Sequence, residues 1–349
     1  MRDEGREKDA GAMGGARESH PPATHGETHV ATLPYRSGAH PDVVQLARCL
    51  PPLPVCAARL LADERHPHGR IEALVDILSA DSAVASNVLQ TINSAMFGLR
   101  HPVLSVRHAA ALLGPRALRS IALSFAMMDA IPVSMLVLFD GNAFRSDALL
   151  RALFARSFAE RRLAGERERA FMAALLADAA VPFLAGARSE YADILEQWRR
   201  SERSLADLER AAQGWDHAAA GAFLLESWGF PRDLVCAVAA HASPLENAHE
   251  GDARDSSAGT PADNLATIVA IAAMVPSARR SPAHGAKPFV RAAMTELGYS
   301  AQELVRTIAR NRSAFEELRG LFHIDEPGVF SIFNRLVAEA SLQEELLDA

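Results

Sequence analysis

Apolar residues recur every three to four positions from Pro41 onward in this 349-residue chain, and no stretch alternates with the period of two that a half-buried strand requires. Ser82 to Met96 shows the pattern well, with Val84, Val88, Leu89, Ile92 and Met96 on one helical face. End signals agree with it. Asp81 is placed to cap that helix, and Ser105 to cap a helix over Val106–Leu113 that Gly114 ends. Pro115 suits the first position of the next helix, where its missing N–H costs nothing. Ser300 and Glu303 form a capping-box pair. Gly and Pro punctuate segments of ordinary helix length, and no constant-period repeat is visible, so the spacing predicts an all-α fold that is not a solenoid.

Composition narrows the function classes. Hydrophobic residues make up 49% and charged residues 23%, an ordinary globular balance. The net charge of -7 argues against nucleic acid as a general partner. The positive residues are almost all Arg; the lysines are Lys8 and Lys287. Cys49, Cys56 and Cys236 fit no zinc spacing and read as buried thiols in a reducing compartment. No secretory leader is visible, and the apolar stretch Ile121–Phe139 is interrupted by Asp129 and Pro132, so it reads as a buried helix, a break and a second apolar segment. A cytoplasmic location away from membrane is expected.

Five segments follow. Residues 1–38 carry almost no large apolar side chains and are expected to be a disordered tail, with His20, His25 and His29 solvated rather than metal-bound. Residues 39–139 form an N-terminal helical lobe, 140–245 a second lobe, 246–263 a polar loop and 264–349 a C-terminal helical region.

An ordered set of markers then stands out: Leu50-Pro51-Pro52-Leu53-Pro54 before a helix with Leu60 and Leu61, then Ile71–Leu78, Asp81 to Asn93-Ser94-Ala95, and Ala109–Leu113 with Gly114. The second lobe continues it with Leu175-Leu176-Ala177-Asp178, Asp216-His217, Gly221, Leu225, Trp228-Gly229-Phe230-Pro231 and His241. Over about residues 45–245 the chain resembles the HDOD family, the HD-related output domain of bacterial signalling proteins. The resemblance implies a two-lobed helical fold, here with a C-terminal helical extension. Its second lobe would be related to HD-type metal phosphohydrolases but usually short of the full metal set. The usual role is regulatory, through contacts with signalling proteins.

An HD hydrolase gathers His and Asp side chains from several helices around one or two metal ions, which acidify a bound water. The first His would fall in Phe144-Arg145-Ser146-Asp147, the His-Asp pair at Ala177-Asp178 and the distal Asp in Val269–Ala273. Only Asp178 of that set is present. Asp178, His217 and His241 remain as candidate ligands of a residual divalent metal, with Asp216 beside them. The alternative is structural: His217 bonding across the lobe, His241 capping a helix, Asp178 capping or pairing with an Arg. No cofactor is expected, and no nucleophile elbow or phosphate loop is seen.

Between Asp81 and Asp129 there is no acidic residue, while Arg100, His101, Arg107, His108, Arg116 and Arg119 fall there. This is a plain solvated face or a docking face for an acidic partner, such as a receiver domain or a component of a cyclic-dinucleotide pathway. A DNA-reading helix pair is disfavoured, because Val106, Ala110, Leu113, Leu118, Ile121 and Phe125 are wanted for the core. Asn93 and Ser94 read as groups that satisfy backbone, Trp198, Trp215 and Trp228 as packing anchors, and the mixed run Glu160–Arg169 as a solvated surface. The expected function is a non-enzymatic regulatory module. The alternatives are a diverged metal-dependent nucleotide or cyclic-nucleotide phosphodiesterase and a nucleotide sensor without turnover.

Overall fold

The computed structural model describes residues 40–48, 52–64, 71–131, 140–243, 261–280 and 285–348. The tail with its three histidines, Cys49, the apolar segment after Ile131 and most of the 246–263 loop lie outside the described residues. Among the described residues there are helices and no strand. The N-terminal lobe holds α1 (Pro41–Arg48), α2 (Val55–Glu64), α3 (Ile71–Ser79), α4 (Ser82–Ile92), α5 (Val106–Leu113) and α6 (Pro115–Asp129). The second lobe holds α7 (Gly141–Arg162), α8 (Arg167–Leu176), α9 (Ala180–Ala187), α10 (Tyr191–Arg200), α11 (Leu205–Gln213), α12 (His217–Trp228) and α13 (Arg232–Ala240). The C-terminal region adds α14 (Pro261–Ala273), α15 (Lys287–Thr295), α16 (Ala301–Leu318) and α17 (Val329–Asp348).

The helix ends are built as their sequence signals require. The Asp81 carboxylate accepts the Val84 N–H at 3.1 Å, and the Ser105 hydroxyl accepts the His108 N–H at 3.2 Å. Gly114 turns the chain from α5 into α6 at φ +82°, a conformation that a side chain would strain, and Pro115 follows inside the first turn of α6. Ser300 and Glu303 complete the reciprocal box. Asn93 grips the backbone of Val103 from both ends of its amide, donating to the carbonyl at 2.8 Å and accepting the N–H at 2.7 Å.

α7 and α8 form the spine. α7 is buried around most of its circumference from Ala143 to Ala159, and α8 from Glu168 to Leu176. Such all-round burial marks an interior helix rather than an amphipathic one. It also explains why Arg167–Ala187, long and apolar enough by composition to cross a membrane, has 83% of its window buried inside the protein. α6 is buried from Leu118 to Met128 and ends at Asp129, as its pattern predicts. One continuous apolar cluster runs from Val43 to Ala340, so the C-terminal helices share the core of both lobes.

Being interior, α8 also corrects the reading of Glu160–Arg169 as a solvated surface. Glu168 is buried against Arg156 at 3.2 Å, and Arg169 reaches Glu64 of α2 at 3.3 Å and Asp233 of α13 at 2.5 Å. One member of the first lobe's arginine field is corrected in the same way. Arg119 is 7% exposed and ion-paired with Asp63, so it is withdrawn from any partner. Arg107 meets Glu72 at 3.6 Å and Arg116 meets Glu166 at 2.9 Å, while Arg100 is exposed. The stretch is acid-free in sequence, but the fold brings acids to it from distant helices. Burial, with the charge of Asp81, pushes the Cys56 thiol up to about 11, which keeps it unreactive at neutral pH.

Candidate metal centre

Three helix ends converge on one point. Asp178 follows α8, His217 opens α12, and His241 closes α13. Asp216 holds the start of α12 by accepting the Ala219 N–H at 2.9 Å and pairs with Arg210, so it is a cap. The C-terminal position of His241 is fixed by its ring Nδ1–H, which donates to the Val238 carbonyl at 2.6 Å. His217 Nδ1–H donates to Glu209 Oε2 at 2.6 Å, and the same oxygen accepts the His217 backbone N–H at 2.8 Å. The Tyr191 hydroxyl donates to the other oxygen of Glu209.

With both Nδ1 atoms engaged, both Nε2 atoms face inward. They stand 3.2 Å apart, and Asp178 Oδ1 lies 3.2 Å from His241 Nε2 and 3.4 Å from His217 Nε2. All three residues are buried. Two ligand atoms at about 2.1 Å from one ion are separated by roughly 3.0–3.4 Å at octahedral to tetrahedral angles. The donor set therefore fits one divalent cation, and each ring has the outer hydrogen bond that orients a metal-ligating His.

Arg151, however, supplies a charge of its own. Arg151 Nη1 lies 2.7 Å from Asp178 Oδ2, both side chains less than a tenth exposed. Arg279 Nη2 approaches the same oxygen at 3.9 Å, while its Nε binds Asp147 at 3.0 Å. Asp147, the last residue of the segment expected to hold the first His, also accepts from the Ser277 hydroxyl and the Ala278 N–H. Ala177 is fully buried beside Asp178, and Ala270 and Ala273 line the cleft where a distal carboxylate was sought. The cleft above the cluster has a volume of about 810 Å³.

Burial alone would raise the Asp178 carboxyl; the Arg151 charge and hydrogen bonds from His217 and His241 outweigh it and hold the group well below the usual carboxylate range. For His217, burial would lower the value, but Glu209 and Asp178 push it up to about 10. The sign of each effect on stability follows. Asp178 stabilises above its ordinary value of 3.8, and that contribution drains as pH falls through its folded range. His217 stabilises fully below 6.5, and its contribution is lost as pH rises toward about 10. Urea denaturation of the wild type and Asp178→Asn is therefore expected to show a stability gap that narrows below about pH 4. A gap of constant size would contradict the buried carboxylate.

The residues singled out in the sequence thus do come together. Glu209 was missed: it is fully buried on the same face of α11 as Leu205 and Leu208, and an acid on the apolar side of an amphipathic helix was the available signal. Trp198 anchors the cleft wall beneath Arg279 and Arg280, at 4.8 and 5.4 Å from its ring centre.

The HDOD domain profile matches residues 50–244. No match was found among curated proteins. Among solved structures, the chain is similar to a protein from Shewanella amazonensis SB2B whose given name proposes a phosphohydrolase, at 21% identity and a TM-score of 0.54, covering 84% of this chain and 97% of that one. A protein from Marinobacter aquaeolei VT8, whose name proposes signal transduction, aligns at 21% identity and a TM-score of 0.57, over 78% of this chain and 60% of that one. An HDOD domain protein of unknown function from Geobacter sulfurreducens aligns at 17% identity and a TM-score of 0.53, over 86% and 98%. At these identities the likeness is one of fold.

Proposed function

This chain belongs to the HDOD family, and from that premise we propose that it is a cytoplasmic, non-enzymatic regulatory module that acts by contact with signalling proteins. The observation that carries the reading is the Arg151 guanidinium on Asp178. The one residue left of the expected His-Asp pair takes its counter-charge from the chain itself. A cation entering the cluster would meet that fixed positive charge in a low-dielectric site. The contact surface proposed is the outer side of α5 and the loop before it. Leu104 (82% exposed) and Leu112 (50% exposed) stand there among Arg100, His101 and His108, a surface suited to an acidic partner with an apolar strip.

A second reading is favoured by the spacing of the three inward donors. Asp178, His217 and His241 would hold a single ion, which when bound would supply a Lewis acid and an acidified water for phosphoester hydrolysis. Elemental analysis after incubation with manganese, iron or zinc separates the two. The expected result is well below one metal per chain and no turnover of cyclic nucleotides or nucleotide phosphates. A tightly held ion lost in His241→Ala, together with turnover, would put the hydrolase reading first.

A further inference from the structure

A second pocket, of about 920 Å³, lies away from the metal-type cluster, between α7, α16 and the end of α4. Two packed helices face each other across it with polar stripes. α7 contributes Arg156, Ser157, Glu160 and Arg161, and α16 contributes Glu303, Arg306, Thr307, Arg310 and Asn311 at the three-to-four spacing of one helix face. The outer residues Glu160, Arg161, Arg306 and Arg310 are exposed, while the inner ones, Arg156, Ser157, Thr307 and Asn311, are buried.

The lining carries four guanidiniums against two carboxylates. Arg161 pairs with Glu303 at 3.0 Å and Arg310 with Glu160 at 3.2 Å, each spending one of its five donors. Arg306 is exposed and has no acidic partner among the described residues. Deeper in, Arg156 and Asn311 are buried, and each has a polar atom with no partner: Arg156 Nε and Asn311 Nδ2. Asn311 Oδ1 is taken by the Ser157 hydroxyl at 2.8 Å, so one end of the amide is unpaired whichever way it is turned. An unsatisfied buried donor is expensive unless something completes it.

We propose that this pocket binds a small phosphate-bearing molecule, with the anion between the guanidiniums of Arg306 and Arg310 and the Asn311 amide. A phosphate is negative at neutral pH, which suits an arginine-rich lining in which Glu168 already neutralises Arg156 and Arg306 has no acidic partner among the described residues, and its oxygens match the guanidinium fork. The pocket lies within the range of roughly 300–1,000 Å³ usual for small-ligand sites. Because α16 lies beyond residue 244, the site is made jointly by the family-matched region and the C-terminal region. The bound anion would brace one against the other.

Calorimetric titration of the full chain with inorganic phosphate and pyrophosphate tests this. Saturable binding is expected, with pyrophosphate raising the melting temperature in a concentration-dependent way. The double variant Arg306→Ala/Arg310→Ala alters exposed residues and should leave the ligand-free melting temperature unchanged while weakening binding at least about tenfold. Asn311→Asp keeps the acceptor for Ser157 but places a negative charge on the anion, and should abolish binding. The proposal is overturned by no saturable binding at millimolar concentration. It is also overturned by binding that survives these variants but is lost in Arg279→Ala, which would place the anion in the other cleft.

Discussion

Arg151→Met is expected to cost about 3–5 kcal/mol of folding free energy in metal-free buffer, the range for breaking one side of a buried ion pair. The change keeps an unbranched apolar stem but removes the guanidinium, with its charge and its Nε–H donation to the Asp147 carbonyl at 3.3 Å. Asp178 would then be a buried carboxylate left with the His217 imidazolium, which Glu209 already engages, and the His241 ring. Arg279 cannot take over, because its Nε is committed to Asp147 and its nearest nitrogen stands 3.9 Å away. The same variant reads out what the guanidinium does. With its repulsion gone, the three inward donors become a better cation site, and millimolar manganese is expected to recover part of the lost stability. Urea denaturation with and without the ion gives both numbers. A loss under about 1 kcal/mol would mean that Asp178 is solvated rather than paired.

Phe289→Ala is the second large effect, again about 3–5 kcal/mol. Phe289 of α15 is fully buried, with its ring centre 4.9 Å from Phe154 and 5.8 Å from Phe158, both on α7. Phe333 of α17 extends the cluster to 6.4 Å from Phe154. These rings lock the C-terminal region onto the spine helix. The cost should appear as a lower denaturation midpoint at unchanged slope. If the variant instead lost almost nothing and its C-terminal helices became protease-sensitive on their own, the shared core would be refuted.

How far the sequence reached depended on the range of the interaction. Caps and helix ends were legible because they are local: Asp81, Ser105, Gly114 and the Ser300–Glu303 pair each act within four residues. The convergence of Asp178, His217 and His241 was legible through the family markers. Their partners were not. Arg151 lies 27 positions before Asp178, on a helix whose residues are buried on every side, so no periodic pattern set its charge apart. Arg119 of the first lobe's positive field was misjudged for the same reason, since Asp63 pairs with it from outside the acid-free stretch. Charge runs are local observations, and neutralisation is a tertiary one.

The single core running from Val43 to Ala340 also limits which motions this fold allows. Domain closure needs a seam, a band of few contacts about which two bodies can swing. Here α8 packs against α6, α13 and α14, which leaves no seam along the spine among the described residues. If the proposed regulatory reading holds, recognition would be rigid-body recognition: a partner would meet a surface already in its bound shape, pay little ordering entropy, and gain specificity from the fixed spacing of side chains.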